Sequence, residues 1–444
     1  MGATLPLVAA PFWTRTGTLP GAPEHVGRDA FLAHARRAAA DLPEAGFVIN
    51  LCEDHYHFAV GFAAALLRGA TSLLPPDRTA GTLSRLRDRY GEVAVLAGPA
   101  DPHPGAGTEP LRLPPAPSGP PAGAGPVPAI PAGQSAVVAF TSGTTGEPRA
   151  NRYSWGELAA AGDLSLDRLG PAPGGGVVAT VPAQHLYGLE LAILWPFRGG
   201  LGLHAERPFY PADVLDRLAT MPEPRVLVTT PIHLKGLLEA GLDWPRTDRI
   251  LSATAPLDPS LAEGAERASG AELWEIYGCS EGGSLASRRT ARDPLWRWHP
   301  GVRPAGGGAD GALEAEHLGR TVPLNDAIEA VDGERFRLKG RREDLVKVAG
   351  KRASLAELNR VLTAIPGVRD GLFLAPAQED GRPAALVVAP ELSREDILEA
   401  LARDVDAVFL PRPLHFVDAL PRTAAGKLPR ARLAPLLRAL GEDP

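Results

Sequence analysis

The sequence has few residues that could form covalent or metal crosslinks. Its 444 residues include only two cysteines, Cys52 and Cys279. Two cysteines make no disulfide framework and no cysteine-rich metal cluster, and they fit a reducing cytoplasm, which is the location we expect. The net charge of −6 also lacks the basic excess that nucleic-acid binding requires, so we expect no nucleic-acid partner.

Long apolar runs are missing as well. No segment reaches the roughly 20 consecutive apolar residues of a transmembrane helix, so we expect no membrane span. Residues 1–11 lack a basic region ahead of their short apolar piece, which argues against a secretory signal. With 44% hydrophobic and 22% charged residues, the composition is typical of a soluble globular protein. Lysine is scarce, and the lysines are Lys235, Lys339, Lys347, Lys351 and Lys427.

The sequence does contain a repeated alternation of strand and helix patterns. Residues 47–51 form a short apolar run typical of a buried strand, residues 71–74 are predicted to form another strand, and a helical pattern lies between them at 58–67. Similar patterns predict strands at 176–181, 201–205, 225–230, 250–253 and 273–277, and helices at 27–42, 189–196, 211–219 and 231–240. This alternation predicts the α/β class, with parallel-rich sheets and covering helices.

Length and composition predict two domains. The chain is longer than the roughly 100–200 residues of one ordinary domain. Residues 101–133 are rich in proline and glycine, and we interpret them as an extended connector. A smaller α+β pattern follows Gly340, with strands at 345–348, 371–375 and 384–388 and helices at 355–364 and after Ser393. We therefore predict a large N-terminal domain at 1–340 and a small C-terminal domain at 341–444.

A loop rich in small polar residues follows the apolar run 136–140. It contains Thr141, Ser142, Gly143, Thr144, Thr145, Gly146, Glu147 and Pro148, and then Arg149. Glycine lets backbone N–H groups approach an anion and each hydroxyl adds a donor, which favours phosphate binding. An ordinary surface turn is the alternative, because the same residue types are common in turns. The loop is not a Walker motif, since Gly-Lys-Ser/Thr is absent.

Four further segments carry polar residues that a fold alone does not require. They are 182–188 with His185, 277–281 with Tyr277 and Glu281, the charged run 340–352, and 420–430 with Gly426-Lys427. Taken alone, each has an ordinary explanation: a satisfied polar histidine, a solvated loop, a solvated charged face or a turn. A glutamate just beyond a buried strand could equally hold Mg²⁺, and an aromatic ring could stack on a base.

Together and in this order, the five segments resemble the acyl-adenylate-forming superfamily, which includes acyl-CoA synthetases, peptide-synthetase adenylation domains and luciferases. The family patterns are T-S-G-T-T-G-x-P-K-G, Y-G-x-T-E, G-R-x-D-D-x-V-K-x-x-G-x-R and P-R-T-x-x-G-K. The resemblance extends from about residue 47 to the C-terminus. It implies an enzyme that uses ATP and Mg²⁺ to convert a small carboxylic acid to acyl-AMP with release of pyrophosphate. The acyl group then passes to the thiol of CoA or of the phosphopantetheine of an acyl carrier protein.

The resemblance also implies roles for individual residues. ATP would be bound by Thr141, Ser142, Gly143, Thr144, Thr145, Gly146, Arg149, Ala253, Ala255, Tyr277, Gly278, Ser280, Asp326, Arg341 and Arg352. Within this set the loop from Thr141 would hold the β- and γ-phosphates, Tyr277 would pack on adenine, and Ser280 would contact the α-phosphate. Asp326 would hold the ribose hydroxyls.

Three residues would carry the catalytic roles. Glu281 resembles the glutamate that binds Mg²⁺, and His185 matches the position that lines the acyl pocket. Lys427 resembles the lysine that bridges the substrate carboxylate and the α-phosphate. Glu343 stands where the family has the hinge about which the C-terminal domain turns.

The chain departs from the family pattern next to the phosphate loop. Arg149 and Ala150 replace the usual lysine and glycine. Arginine keeps the charge but binds in a planar fork, and alanine would be strained if position 150 needed a positive φ. Two alternatives stay open: a ligase with a non-thiol acceptor, and a degenerate acyl- or nucleotide-binding protein. The overall resemblance favours an aromatic or medium-chain acyl acid.

Overall fold

The computed structural model describes residues 2–16, 19, 22, 24–75, 77–102, 109–117, 125–140, 149–305, 311–341, 345–348, 351–376, 381–422, 428 and 430–441. At 341, 345, 347, 351, 352, 354, 356, 357, 430 and 431 it describes the backbone alone. The chain divides into two compact units. The first comprises Met1–Asp293, Trp298–Val302 and Ala315–Arg320, and the second comprises Pro294–Arg297, Arg303–Glu314 and Thr321–Pro444.

Strands and helices alternate along most of the described chain. The strands are β1 (Thr4–Pro6), β2 (Trp13–Arg15), β3 (His25–Gly27), β4 (Phe47–Asn50), β5 (Thr71–Leu74), β6 (Val93–Ala97), β7 (Leu111–Arg112), β8 (Ala129–Pro131), β9 (Ser135–Phe140), β10 (Ala150–Ser154), β11 (Gly176–Ala179), β12 (Gly202–His204), β13 (Arg225–Thr229), β14 (Arg249–Ser252), β15 (Glu272–Cys279), β16 (Gly283–Arg288), β17 (Trp296–Trp298), β18 (Val302–Pro304), β19 (Ala312–Ala315), β20 (Arg320–Pro323), β21 (Asp326–Ala330), β22 (Arg335–Arg341), β23 (Leu345–Val348), β24 (Lys351–Ser354), β25 (Asp370–Leu374), β26 (Ala384–Val388) and β27 (Leu414–Phe416).

The α-helices confirm the mixed α/β class. They are α1 (Arg28–Asp41), α2 (His55–Leu67), α3 (Ala80–Tyr90), α4 (Trp155–Leu169), α5 (Leu186–Gly188), α6 (Trp195–Gly199), α7 (Pro211–Thr220), α8 (Pro231–Glu239), α9 (Pro259–Ser269), α10 (Leu355–Ala364), α11 (Arg394–Asp404) and α12 (Arg430–Leu440). None of these described helices combines the length and the apolar character that a membrane span requires.

The first unit contains two large sheets. One has the strand order β10-β9-β5-β4-β6-β7, in which every neighbouring pair is parallel except β10 with β9. Its strand β5 is buried at all four positions, as a parallel strand covered on both faces should be. Helix α2 contacts β4 and β5 of this sheet and also β12 of the other. Being covered on both sides explains why α2 is buried around its whole circumference and is mostly apolar.

The second sheet of this unit positions the functional residues. Its strand order is β16-β15-β14-β13-β11-β12-β2-β3, and the strands from β15 to β2 are parallel. The strands predicted at 176–181, 201–205, 225–230, 250–253 and 273–277 are confirmed, and they correspond to β11, β12, β13, β14 and β15. Strands β2 and β3 extend the sheet at its other edge.

Two predictions of local structure need correction. The single helix predicted at 189–196 consists of a π-helical segment, Leu189–Leu194, between α5 and α6. Pro196 has no backbone N–H, so a regular α-helical hydrogen-bond ladder cannot run through this position. The predicted connector 101–133 includes strands β7 and β8 in its described parts, and β8 pairs with β1.

The second unit contains smaller sheets. The hairpin of β21 and β22 forms around Asp332-Gly333, and β22 also pairs with β17. Strands β25, β26 and β27 form a separate sheet, whose apolar residues pack with those of α10 and α11. Phe373 and Leu362 are among the side chains buried in this core. The division of function between residues 1–340 and 341–444 remains a prediction.

Candidate active site

The candidate site of the first unit lies at one edge of the second sheet. Strands β11, β13, β14 and β15 are parallel, so their carboxyl ends meet at that edge. The residues that follow these four strands are Thr180, Thr230, Ala253 and Ser280. In open α/β sheets, ligands bind at such an edge, because the loops there converge on one crevice.

The turn after β15 carries Ser280 and Glu281, and glycines make it possible. A Cβ atom on Gly278 would lie 2.2 Å from the carbonyl oxygen of Gly283, so only glycine allows this close approach. Gly283 has a φ of +67°, in the left-handed region. The register between β15 and β16 shifts at Tyr277/Gly278. Beyond this bulge the strands pair at Gly278–Ser284 and Cys279–Gly283, and the turn of Ser280 and Glu281 follows.

Glu281 carries the carboxylate that we expect to bind magnesium. It is partly buried in the turn, and among the described residues no ion pair joins it to a cation. Burial raises the pKa of the neighbouring Cys279 thiol to about 12, so this thiol adds no negative charge. No cluster of three or more histidine, cysteine or acidic residues suited to a metal occurs in the described chain. One carboxylate with phosphate oxygens is a common way of holding Mg²⁺.

Tyr277 is more deeply buried than a solvated loop would require. Only 8% of it is exposed, and its ring lies edge-on to Trp298 with centroids 6.4 Å apart. The interpretation of residues 277–281 as a solvated loop is therefore wrong for Tyr277. Its contact with adenine stays a prediction.

Tyr153, on β10, fixes one end of the turn. Its hydroxyl donates a hydrogen bond of 2.7 Å to the carbonyl oxygen of Ser280. Burial raises the pKa of Tyr153 far above its ordinary value, so the phenol keeps its proton. The Arg320 guanidinium lies over the Tyr153 ring, 4.9 Å from its centroid, and donates to the carbonyl oxygen of Arg152. These contacts anchor the strand that follows the predicted phosphate loop to the turn that carries Glu281.

His185 begins the segment that leads into the buried π-helical region. It is the N-cap of α5, and its carbonyl accepts the backbone N–H of Leu189. A Cβ on Gly188 would lie 2.2 Å from the carbonyl oxygen of Pro182, which explains the glycine. The Tyr187 hydroxyl lies 3.1 Å from the carbonyl oxygen of Thr229 and 2.9 Å from that of Leu251. The segment is therefore held against the carboxyl ends of β13 and β14.

The segment after β14 is strained. Thr254 has a φ of +78°, and it is the one non-glycine residue in the described chain with a positive φ. A β-branched residue in this region is unusual and costs conformational energy. The neighbouring Ala253 is buried and Ala255 is exposed. The segment is fixed at its far end, where the Leu257 N–H donates a 2.9 Å hydrogen bond to Glu275.

A buried polar cluster lies beside this edge. The Thr180 hydroxyl is 3.0 Å from that of Thr229 and 2.9 Å from Nδ1 of His233. The Thr230 hydroxyl lies 3.1 Å from the same nitrogen. Burial, together with the charge of Arg207, lowers the pKa of His233, so the imidazole is neutral near pH 7. The cluster supplies hydroxyl and imidazole groups to the wall of the crevice.

Glu190, in the π-helical segment, is a buried carboxyl group that contacts the same turn as Tyr153. One of its oxygens accepts hydrogen bonds from the Ser284 hydroxyl at 2.9 Å and from the Ser284 N–H at 3.3 Å. Burial raises the pKa of Glu190 to about 7, and the Ser284 and Ser165 hydroxyls oppose this shift. Glu190 links the segment of His185 to the segment of Glu281.

The second unit brings two predicted residues together. In the β21–β22 hairpin, Asp326 pairs directly with Arg341, so the two backbones are neighbours. Arg352 pairs with Lys347 in the β23–β24 hairpin.

The predicted phosphate loop and the predicted catalytic lysine lie outside the described residues. These are Thr141, Ser142, Gly143, Thr144, Thr145, Gly146 and Lys427. Arg149 is described, and it is exposed directly before β10. Ala150 pairs with Phe140 in the β9–β10 hairpin, so it has extended backbone and needs no glycine. The concern about a positive φ at this position is therefore removed.

Sequence reasoning missed Tyr153, Thr254 and Glu190. Tyr153 and Thr254 stand in ordinary strand and loop contexts, so no local pattern marks them. Glu190 did carry a signal. It is a single acidic residue inside the apolar run Leu189–Leu194, and buried acids are uncommon without a partner.

Comparison with known proteins finds a matching family model and similar ligases. The family model described as AMP-binding enzyme matches residues 94–334. A 4-coumarate–CoA ligase of Rhodobacter capsulatus is 32% identical over 294 residues, which are 65% of this chain and 73% of that protein. A 3-hydroxybenzoate–CoA ligase of Aromatoleum sp. is 24% identical over 68% of this chain and 66% of that protein.

A solved structure supports the fold. The crystal structure of ATP-bound MatB from Rhodopseudomonas palustris superposes with a TM-score of 0.80 at 20% identity. The match covers 98% of this chain and 97% of that one. At this identity the likeness establishes the fold alone.

Proposed function

This chain belongs to the family of AMP-binding enzymes, and we propose that it joins an aromatic carboxylic acid to a pantetheine thiol by way of an acyl-AMP intermediate. The two relatives named above are ligases of aromatic acids with CoA. They favour CoA as the acceptor and an aromatic acid within the wider range of aromatic and medium-chain acids. An acyl carrier protein is the other pantetheine acceptor.

One observation carries the proposal. Hydrogen bonds from Tyr153, Tyr187 and Ser284 tie two motif segments to the same edge of the second sheet. These segments hold Glu281 and His185, and the strained stretch around Thr254 follows β14 at the same edge. A family motif could occur by chance in one loop, but two motif segments joined at one sheet edge support a common site.

The reaction needs positive charge at this edge. A carboxylate cannot acylate a thiol directly, because its oxygen is too poor a leaving group. Attack of the carboxylate oxygen on the α-phosphorus of ATP forms the acyl phosphate bond and breaks the bond to pyrophosphate. Both reactants are anions, so cations must offset their repulsion and the charge that grows at phosphorus. When bound, Mg²⁺ supplies part of that charge.

Residues of this chain would provide the remaining positive charge and would position the reactants. Glu281 would hold Mg²⁺ from the turn after β15, and Lys427 would bridge the two reacting anions. The loop from Thr141 to Gly146 would hold the departing pyrophosphate, with Arg149 close behind it in the chain. The reaction needs no protein nucleophile, since positioning and electrostatics carry it.

The second half-reaction consumes the acyl-AMP. The sulfur of the pantetheine thiol forms a bond to the acyl carbon, and the bond to AMP breaks. The thiol loses its proton and AMP leaves as the phosphate anion. As part of the proposal, residues 341–444 form the mobile domain that delivers Lys427 for the first half-reaction and withdraws it for the second.

Pyrophosphate release separates the possible substrates. The enzyme should be incubated with ATP, Mg²⁺ and a panel of benzoic, cinnamic, medium-chain and dicarboxylic acids. We expect release above background with aromatic acids, and product thioester when CoA is added to the successful reactions. Replacing CoA by a phosphopantetheinylated carrier protein tests the other acceptor. If no acid in the panel causes pyrophosphate release, the result would favour the alternative of a non-catalytic binding protein.

The Lys427→Ala variant tests the mechanism. It should lose acid-dependent pyrophosphate release, because the two anions then meet without their bridging cation. It should retain thiolysis of added acyl-AMP, which does not bring those two anions together. Lys235→Ala is the matched control, since Lys235 is an exposed lysine on α8 paired with Glu239. Unchanged pyrophosphate release in Lys427→Ala would contradict the role given to this lysine.

A further inference from the structure

Glu190 is a carboxylic acid buried in an apolar setting. It is 3% exposed, and the side chains of Leu189, Leu191 and Ala192 around it in sequence are fully buried. Burying a carboxyl group is costly, so its retention calls for contacts that an apolar side chain could not make. The π-helical conformation of Leu189–Leu194 is also uncommon, and such segments occur often at functional sites.

The contacts of Glu190 are concentrated on one residue. Its Oε2 accepts both the hydroxyl and the backbone N–H of Ser284, at 2.9 and 3.3 Å. A Cβ on Gly283 would lie 3.6 Å from the same oxygen, so the carboxyl group lies against the backbone of the turn. The second oxygen, Oε1, is buried without a hydrogen-bond partner among the described residues.

Groups from several elements surround this carboxyl group, and the described ones that interact with it electrostatically are neutral. They are the Tyr153 and Tyr187 phenols and the Ser284 and Ser165 hydroxyls. No arginine, lysine or histidine of the described chain forms an ion pair with Glu190. Glu190 therefore does not serve as half of a buried salt bridge.

We propose that Glu190 is a positioning residue, which holds the far end of the turn that carries Ser280 and Glu281. Tyr153 holds the near end through the Ser280 carbonyl, and Glu190 holds the far end through Ser284. After the register shift at Tyr277/Gly278, the strands pair again at Gly278–Ser284 and Cys279–Gly283, so Ser284 lies at the base of the turn. The inference rests on the proposed role of Glu281 in Mg²⁺-ATP binding.

The chemistry of the contact explains why an acceptor is needed here. The Ser284 N–H and O–H are both donors, and both are directed to one oxygen. An apolar side chain at 190 would leave two buried donors unpaired, which is unfavourable in an apolar setting. The turn would then move to satisfy them elsewhere, and Glu281 would move with it. A glutamine at 190 keeps an acceptor oxygen at the same distance along the side chain.

Binding of Mg²⁺-ATP to three variants tests the proposal. Glu190→Leu removes the acceptor, and Glu190→Gln keeps it. Asp163→Asn is the matched control, because Asp163 joins α4 to Arg198 of α6 beside the same π-helical segment but does not contact the turn. Calorimetric titration with Mg²⁺-ATP gives the Kd without turnover. Steady-state pyrophosphate release then gives separate KM values for ATP and the acid.

We expect a graded result. Glu190→Leu should raise the Kd for Mg²⁺-ATP about tenfold, since one unsatisfied donor already corresponds to that factor. The KM for the acid should stay within about twofold in the same variant, and Glu190→Gln and Asp163→Asn should bind like the parent. Parent-like binding by folded Glu190→Leu would overturn the proposal, and so would equal weakening in Asp163→Asn.

If Glu190→Leu does not fold, the variant Ser284→Ala tests the proposal instead. Ser284→Ala removes only one of the two hydrogen bonds and should raise the same Kd by about threefold to tenfold. Parent-like binding by Ser284→Ala would then overturn the proposal. The two hypotheses are separable, because a parent that binds Mg²⁺-ATP but releases no pyrophosphate contradicts the proposed function alone. A parent that does not bind Mg²⁺-ATP contradicts both.

Discussion

Two buried glutamates support the candidate site from different regions, and their surroundings differ. Glu275 and Glu190 are each 3% exposed. Glu275 accepts from Nε and Nη2 of Arg288 at 2.8 and 2.7 Å, from Thr290 at 2.7 Å, and from the Leu257 N–H at 2.9 Å. Glu190 accepts hydrogen bonds from Ser284, and the Ser165 hydroxyl also favours its ionised form, but no guanidinium contacts it among the described residues.

The difference shows two ways of holding a ligand-binding segment. The guanidinium beside Glu275 compensates its charge, so the segment from Ala253 to Leu257 rests on an ion pair. Glu190 has no such cation, and burial raises its pKa to about 7. The turn of Glu281 therefore rests on a carboxyl group whose charge changes near neutral pH. The Glu275 region should matter more for stability and the Glu190 region more for ligand binding.

The largest expected effect is on stability, at Glu275. Glu275→Ala removes the carboxylate that pairs with the mostly buried Arg288 guanidinium, and should lower the free energy of unfolding by about 3–5 kcal/mol. Urea denaturation followed by tryptophan fluorescence measures it. The control is Glu263→Ala, which removes an exposed pair with Arg267 and should change stability by less than about 0.5 kcal/mol. Equal losses in the two variants would show that the Glu275 region is not a structural centre.

Next in size is a loss of activity at the turn that Glu190 supports. Glu281→Ala removes the proposed Mg²⁺ ligand and should lower kcat/KM for ATP by about 100-fold or more, as loss of a group that stabilises developing charge does. The fold should be unaffected, because the side chain is not fully buried. Pyrophosphate release measured across a range of Mg²⁺ concentrations checks this. A Mg²⁺ dependence identical to the parent's would remove Glu281 from the mechanism.

The third effect is a pH dependence of stability that only the Glu190 region should show. The folded pKa of about 7 is above the ordinary 4.5, so folding favours the protonated acid. Stability is therefore fully present below pH 4.5 and declines as the pH rises through 7, by roughly 3 kcal/mol in total. Glu190→Gln lacks this titration, so its stability relative to the parent should increase by most of that amount, about 2.5 kcal/mol, between pH 5 and pH 8.

Paired unfolding curves at pH 5 and pH 8 measure this difference. The difference in stability between the parent and Glu190→Gln isolates the titration of Glu190, because every other titrating group is present in both proteins. A stability difference that is the same at both pH values would mean that Glu190 does not titrate in this range.

The smallest effect should come from the near end of the turn. Tyr153→Phe removes the hydrogen bond to the Ser280 carbonyl and should cost about 1 kcal/mol, seen as a roughly fivefold rise in KM for ATP. Tyr210→Phe, at a 68% exposed tyrosine, is the control. Tyr153→Phe with parent-like kinetics would leave Glu190 as the sole support of the turn among the described contacts.

Much of the fold could be predicted from the sequence because buried parallel strands are continuous apolar runs. Residues 177–179 and 226–228 lie in strands for this reason, and they are buried throughout. Strands β2 and β3 could not be predicted, because three-residue strands with polar positions have no distinct pattern. The interruption at Leu189–Leu194 was missed because its apolar run has the appearance of an ordinary helix.

The candidate site could likewise be predicted only in part from the sequence. The types and order of Tyr277, Ser280 and Glu281 predict the chemistry through the motif. Motifs do not contain the supporting contacts, since Tyr153 bonds to a residue 127 positions away and Glu190 to one 94 positions away. Such contacts depend on how the sheet brings distant segments together. The roles of Thr141 to Gly146 and of Lys427 stay predictions.

Acid-dependent release of pyrophosphate from ATP tests the central claim most directly. The parent enzyme, with Mg²⁺-ATP and an aromatic acid, should release one pyrophosphate for each acyl-AMP formed, and release should cease when the acid is omitted. Addition of CoA should then convert the acyl-AMP to a thioester and AMP. Pyrophosphate release that is absent with every acid, or that proceeds equally without acid, would contradict the account.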